Sequence, residues 1–96
     1  MQHTVVFKLK HALGSQLERV FLVAVKKLAE IPGVKNFQIL RQVSPKNIYN
    51  FGLSMEFSTA EEYQAYNDHP AHLHFVQTHW MKEVSDFMEI DYSVME

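Results

Sequence analysis

Phe51, Leu53, Met55 and Phe57 alternate with Gly52, Ser54 and Glu56. A period of two places successive side chains on opposite faces of a strand. One face of Asn50–Phe57 is therefore large and apolar, and the other is small or polar. Such a strand must lay its apolar face against another layer. Three further stretches alternate. In His3–Lys10, the residues His3, Val5, Phe7 and Leu9 oppose Thr4, Val6, Lys8 and Lys10. In Val34–Val43, the residues Phe37, Ile39, Arg41 and Val43 oppose Asn36, Gln38, Leu40 and Gln42. In Phe87–Val94, the residues Met88, Ile90, Tyr92 and Val94 oppose Phe87, Glu89, Asp91 and Ser93. Four strands are expected.

Two helical segments separate them. Ala12-Leu13-Gly14-Ser15 is a turn, and Ser15 with Glu18 fits a capping box. Leu17, Val20, Phe21, Ala24, Val25, Leu28 and Ile31 then recur at helical spacing and are expected to face inward. Pro32-Gly33 stops this helix. Ser44-Pro45-Lys46-Asn47 carries turn chemistry. Ser58 or Thr59 caps the second helical segment, with Glu61 and Glu62 in its first turn. It carries Tyr63 and Tyr66. Proline is accommodated at a helix start and pushes the preceding residue out of the α region. A break is therefore expected at Asp68-His69, and a new helix from Pro70 to about Met81. Leu73, Val76, Trp80 and Met81 are expected inward, with His72 and Phe75 close to that stripe. The order β-α-β-β-α-β gives an α+β, ferredoxin-like fold with an antiparallel sheet and both helices on one face.

Composition limits what such a domain can be. The 96 residues, 47% hydrophobic and 21% charged, imply one ordinary globular domain spanning 1–96. A formal net charge of −2 offers no basic surface for nucleic acid or an anionic membrane. The chain has no cysteine, hence no disulfide and no thiolate metal site. Met1-Gln2-His3-Thr4 has no signal-like character, and no apolar run is long enough to span a bilayer. The expectation is a soluble, cytoplasmic protein.

Tyr66-Asn67-Asp68-His69-Pro70-Ala71-His72 gathers a phenol, a carboxylate and two imidazoles at the chain corner. The pattern Tyr-x-x-His-Pro-x-His, preceded by Phe57-Ser58-Thr59-Ala60-Glu61-Glu62, resembles the stress-responsive dimeric α/β-barrel (Dabb) family. His3-Thr4-Val5-Val6-Phe7-Lys8, Ile31-Pro32-Gly33-Val34 and Ile90-Asp91-Tyr92 are similar to further pieces of that family, in the same order. The resemblance implies a homodimer in which two sheets face each other as a barrel. That pairing would cover Val6, Leu40 and Tyr92 on the helix-free face, where a small domain gains from burial. Similar loops in the family also suggest a cation held by the carbonyls of Leu28, Ile31 and Val34, although water is the commoner partner for such helix-end groups.

The family includes a plant polyketide cyclase that closes rings by aldol condensation. Its pocket histidine on the first strand, and its tyrosine and histidine at the corner, match His3, Tyr66 and His72. A histidine near neutral pKa suits removal of a proton beside a carbonyl, and a phenol suits donation to the developing oxyanion. The resemblance thus implies His72 as general base, Tyr66 as electrophilic donor and His3 as orienter, without a cofactor. Asp91 is a candidate to hold a pocket histidine in one tautomer. The cyclase's further tyrosine, on the first helix, falls at about Ala24. A small residue there opens space but removes a phenol, so the same cyclisation is not implied.

His69, His72, His74 and His79 invite a metal reading. Their spacing gives no helical i, i+4 pair with a partnered acid and no HExxH motif, so no metal is expected. Nothing singles out a haem ligand. Three readings remain: a non-catalytic stress-associated dimer, a cofactor-independent cyclase or aldol-type enzyme, and a module binding a small apolar or aromatic ligand. Fold does not choose among them. A cavity filled by Trp80 and Phe75 would favour the first.

Overall fold

The computed structural model describes residues Met1–Glu96. Its strands are β1 (Gln2–Leu9), β2 (Lys35–Arg41), β3 (Phe51–Glu56) and β4 (Val84–Tyr92). They form one four-stranded antiparallel sheet in the order β2-β3-β1-β4. Helix α1 (Gln16–Lys26) links β1 to β2 and ends in a 3₁₀ turn, Lys27–Glu30. Helices α2 (Ala60–Asp68) and α3 (Pro70–Phe75) link β3 to β4. After α3 the chain runs without a break through a π-helical turn, Val76–Trp80, into a last turn α4, Met81–Glu83. No helix is long and apolar enough to cross a membrane.

The alternation of β1 is realised as expected. His3, Val5, Phe7 and Leu9 are buried on the helix side. They meet Phe51, Leu53 and Met55 of β3, in the register His3–Met55, Val5–Leu53 and Phe7–Phe51. Phe7 is fully buried and touches three rings, Phe21, Phe51 and Trp80, with centroids 5.9, 5.5 and 5.0 Å away. Packing of this kind, rather than helix propensity, holds short helices on a sheet.

The caps are local. Ser15 Oγ accepts from Glu18 N–H at 3.2 Å. The reciprocal bond goes one residue further out, from Gly14 N–H to Glu18 Oε2 at 2.6 Å. Thr59, rather than Ser58, caps α2 by accepting from Glu62 N–H. His69 stands outside both helices at φ −64°, ψ 136°, and its Nδ1 accepts from Ala71 N–H to cap α3. Pro70 occupies the first turn, where its missing N–H costs nothing. The corner is built as the proline requires. Gly33, at φ +92°, supplies the left-handed turn after Pro32 that a side chain would resist. The Leu28 and Ile31 carbonyls accept there from Ile31 N–H and Val34 N–H, both at 3.2 Å.

Several faces differ from the expectation. On α1 the inward residues are Glu18, Phe21 and Val25, while Leu17 and Val20 are more than half exposed or close to it, at 58% and 50%. The apolar stripe of α1 is wider than its contact with the sheet, and the helix rolls toward Phe21 and Val25. Beyond the corner, Phe75 is buried while Leu73 and Met81 are exposed. Phe75 and Trp80 lie five residues apart, which α-helical spacing would place on different faces. The π turn resolves this. Met81 N–H bonds to Val76 O, five residues back, and Phe75 and Trp80 both reach Phe21, at 5.8 and 6.3 Å. Finally, β4 begins at Val84 rather than Phe87, because Leu9–Val84 and Lys8–Asp86 already pair across a bulge.

Candidate functional site

A cavity of about 540 Å³ opens on the helix side between β1, β4 and the α2–α3 corner. Its floor is the sheet: Val5, Leu53 and Met55, with Leu28 closing one side. Phe75, Val76, Trp80 and Met81 wall it from the helical segment. Val84, Phe87 and Glu89 line it from β4. Trp80 and Phe75 line the space without filling it. The polar groups converge from the corner and from the first strand: His3, Tyr66, Asn67 and His72.

The three residues singled out in the sequence thus meet at one cavity. The Tyr66 and His72 rings are 4.5 Å apart and those of His3 and Tyr66 6.3 Å apart, between centroids. They do not hydrogen-bond to one another; the two histidines are held from behind. His72 Nδ1 lies 3.0 Å from the Asn67 carbonyl. A carbonyl only accepts, so Nδ1 carries the proton and Nε2 has a free lone pair. His3 Nδ1 lies 2.6 Å from Asp91 Oδ1, and since a carboxylate only accepts, this nitrogen carries a proton. Asp91 is the direct partner of His3 across the β1–β4 ladder. Tyr63 completes this arrangement by donating its hydroxyl to Asp91 Oδ2 at 3.2 Å, with its oxygen 3.2 Å from His3 Nδ1.

Glu18 Oε1 is the one fully occluded side-chain polar atom without a partner. The Tyr66 hydroxyl and the Nε2 atoms of His3 and His72 also make no hydrogen bond to the protein, so they are reached from the cavity. Burial sets the protonation of His72 and Tyr66. Desolvation is the main cause that lowers the His72 pKa, outweighing the favourable bond to the Asn67 carbonyl, so the imidazole is neutral at neutral pH. Desolvation, reinforced by the charge of Glu89, raises the Tyr66 pKa, so its phenol stays a donor. A neutral base with a free lone pair beside a protonated phenol is equipped for proton transfer at a carbonyl compound.

The other histidines are used elsewhere. His69 caps α3, His74 lies within 3.5 Å of Thr78, and His79 pairs with Glu83 at 3.1 Å. Glu83 also pairs with His11 at 2.7 Å, which ties the loop after β1 to α4. No group of three His, Asp or Glu side chains has metal-binding geometry. Sequence reasoning missed Asn67, Phe87 and Glu89 as cavity residues. The signal was present for two of them, since the alternation of the last strand put Phe87, Glu89 and Asp91 on one face.

The sheet order, the helices confined to one face and the lined cavity beneath the proline corner define a ferredoxin-like α+β domain with a helix-side pocket. The family model of the stress responsive A/B barrel domain matches residues 1–94, and the chain belongs to that family. A Dabb family protein of Mesorhizobium loti with a ferredoxin-like fold is 53% identical, with a TM-score of 0.98 over 99% of this chain and 96% of that one. A dimeric ferredoxin-like protein of unknown function from Thermobifida fusca is 20% identical, with a TM-score of 0.79 over 97% and 89%. The hydroxynitrile lyase of Passiflora edulis is 15% identical, with a TM-score of 0.84 over 99% and 93%. The last two likenesses concern the fold. No curated protein matches the chain in sequence.

Proposed function

We propose that this chain is a homodimeric A/B barrel domain whose helix-side pocket binds a small, mainly apolar ligand carrying a carbonyl group. The observation that carries this reading is the joint opening of the Tyr66 hydroxyl and the His72 Nε2 onto a cavity of about 540 Å³, within the size of small-molecule sites. Of its 15 lining residues 11 are hydrophobic, so the ligand body is apolar and its orientation is set by the few polar groups. Tyr66 donates to the carbonyl oxygen. His72, neutral and with a free lone pair, stands as base toward the adjacent carbon. His3, fixed by Asp91, orients the ligand or relays a proton. This is the proton-transfer half of aldol-type chemistry and needs no cofactor. Dimerisation is supported by the helix-free sheet face, where Leu40, Met88 and Tyr92 are about half exposed, and by solved relatives that are dimers.

The test is hydrogen–deuterium exchange at the carbon beside the carbonyl of 4-phenylbutan-2-one, followed by NMR in D₂O. The reading predicts exchange above the uncatalysed rate, lost by about a hundredfold in His72→Ala and reduced in Tyr66→Phe. Binding of the ketone with no exchange would leave a binding module and remove the base role. Absence of both would overturn the proposal.

A further inference from the structure

The pocket's charge and its rings point to the kind of ligand it takes, and this inference rests on the pocket being a ligand site. Glu89 is the one carboxylate lining the cavity, and no Lys or Arg lines it at all. Glu89 forms no ion pair: the salt bridges of the chain use Asp91, Glu83 and Glu62 instead. Its charge is felt inside, adding to the upward pull on the Tyr66 pKa after burial and opposing the downward pull of burial on His72. The His72 imidazole does not supply a compensating positive charge, since burial keeps it neutral.

The second observation is aromatic. Tyr66, Phe75, Trp80 and Phe87 all line the same cavity. Trp80 and Phe87 meet edge-on, with centroids 5.5 Å apart, and Trp80 and Phe75 lie 6.3 Å apart. Phe87 and Glu89 are two residues apart on β4 and share its inner face. Phe87 is 48% exposed, so this ring stands at the mouth beside the carboxylate. Rings present negative faces to a cation, and an aromatic cage with a nearby carboxylate is how ammonium groups are held. An anion placed there would meet an unpaired carboxylate and find no Lys or Arg.

We infer that the pocket selects ligands whose mouth-facing end is an ammonium group, quaternary or protonated, and rejects carboxylates. Glu89 and the Trp80–Phe87 pair are the specificity-determining residues.

The experiment is calorimetric titration of the full chain with three probes of similar apolar body: benzyltrimethylammonium, 4-phenylbutan-2-one and 3-phenylpropionate. Wild type is expected to bind the cation about tenfold or more tighter than the carboxylate, with the preference shrinking as salt is raised. Glu89→Gln should cut that ratio to near one, with ketone affinity changing far less than cation affinity. Phe87→Leu, at a half-exposed site where folding is not at risk, should weaken the cation more than the ketone. A ratio unchanged by Glu89→Gln, or a wild type that prefers the carboxylate, overturns the inference while ketone binding leaves the pocket reading standing. If no probe binds, both fall together.

Discussion

Asp91 stands directly opposite His3 on neighbouring antiparallel strands, and the two side chains meet at 2.6 Å on the helix side of the sheet. The strand register therefore sets the histidine's tautomer, because a carboxylate can only receive the Nδ1 proton. Asp91→Asn offers a donor as well as an acceptor and lets the ring adopt the other tautomer. The expected result is a clear loss of ketone-dependent exchange with a stability loss of only about 0.5–1 kcal/mol, since Asp91 is partly exposed. Chemical denaturation and the exchange assay measure the two effects on the same variant. Equal losses in both would reduce Asp91 to a structural residue.

The open sheet face makes a second prediction. Val6 lies on it, flanked in register by Gly52 and Met88. Val6→Asp places a charge where a partner sheet is expected. Light scattering should show wild-type dimers and mutant monomers at micromolar concentration. The mutant melting temperature should fall by about 5 °C or more, because association and folding are linked by mass action. A wild-type chain that stays monomeric removes the dimer.

Acid should weaken the fold through His72. Its folded pKa lies below its ordinary 6.5, so the unfolded chain binds the proton more readily. Stability due to the neutral ring is fully present above 6.5 and is lost as pH falls through the lower folded value. Thermal melts of wild type and His72→Asn between pH 7.5 and about pH 5 should converge or flatten in the variant. An identical pH slope in both would show that His72 does not contribute to it.

The π turn gives a fourth prediction. It accommodates the five-residue step from Phe75 to Trp80 with one residue more than an α-helix needs. Deleting Gln77, which is exposed, shortens the step to four and lets an ordinary α-helix present both rings to Phe21. The deletion should be tolerated within about 1 kcal/mol, with helical circular dichroism retained. Collapse of the fold would mean that the π turn is required for more than spacing.

These elements also show where sequence reasoning reaches. The sides of β1 and β3 were legible because period two leaves only two faces to choose between, and Phe7 or Met55 on the wrong one would be untenable. The corner was legible because proline constrains both itself and its predecessor. Leu17, Val20 and Leu73 misled because an apolar residue at helical spacing does not say how far the helix rolls. A 3.6-residue template puts Trp80 on the inward stripe and Phe75 only beside it, because it has no five-residue step that would bring both rings to one face. At the site, the matching histidines and tyrosine were visible as a motif. Asn67 lines the cavity through the geometry of the corner, and Tyr63 reaches Asp91 across 28 positions of sequence, which no local pattern records.

The central claim is that the pocket holds a carbonyl ligand through Tyr66. Calorimetric titration of wild type and Tyr66→Phe with 4-phenylbutan-2-one tests it most directly. Phenylalanine keeps the buried ring against Phe57 and His72 and removes only the hydroxyl. One ligand per protomer is predicted for wild type, with affinity about tenfold weaker in the variant, the worth of one well-placed hydrogen bond. Binding of equal strength in the two proteins would contradict the account.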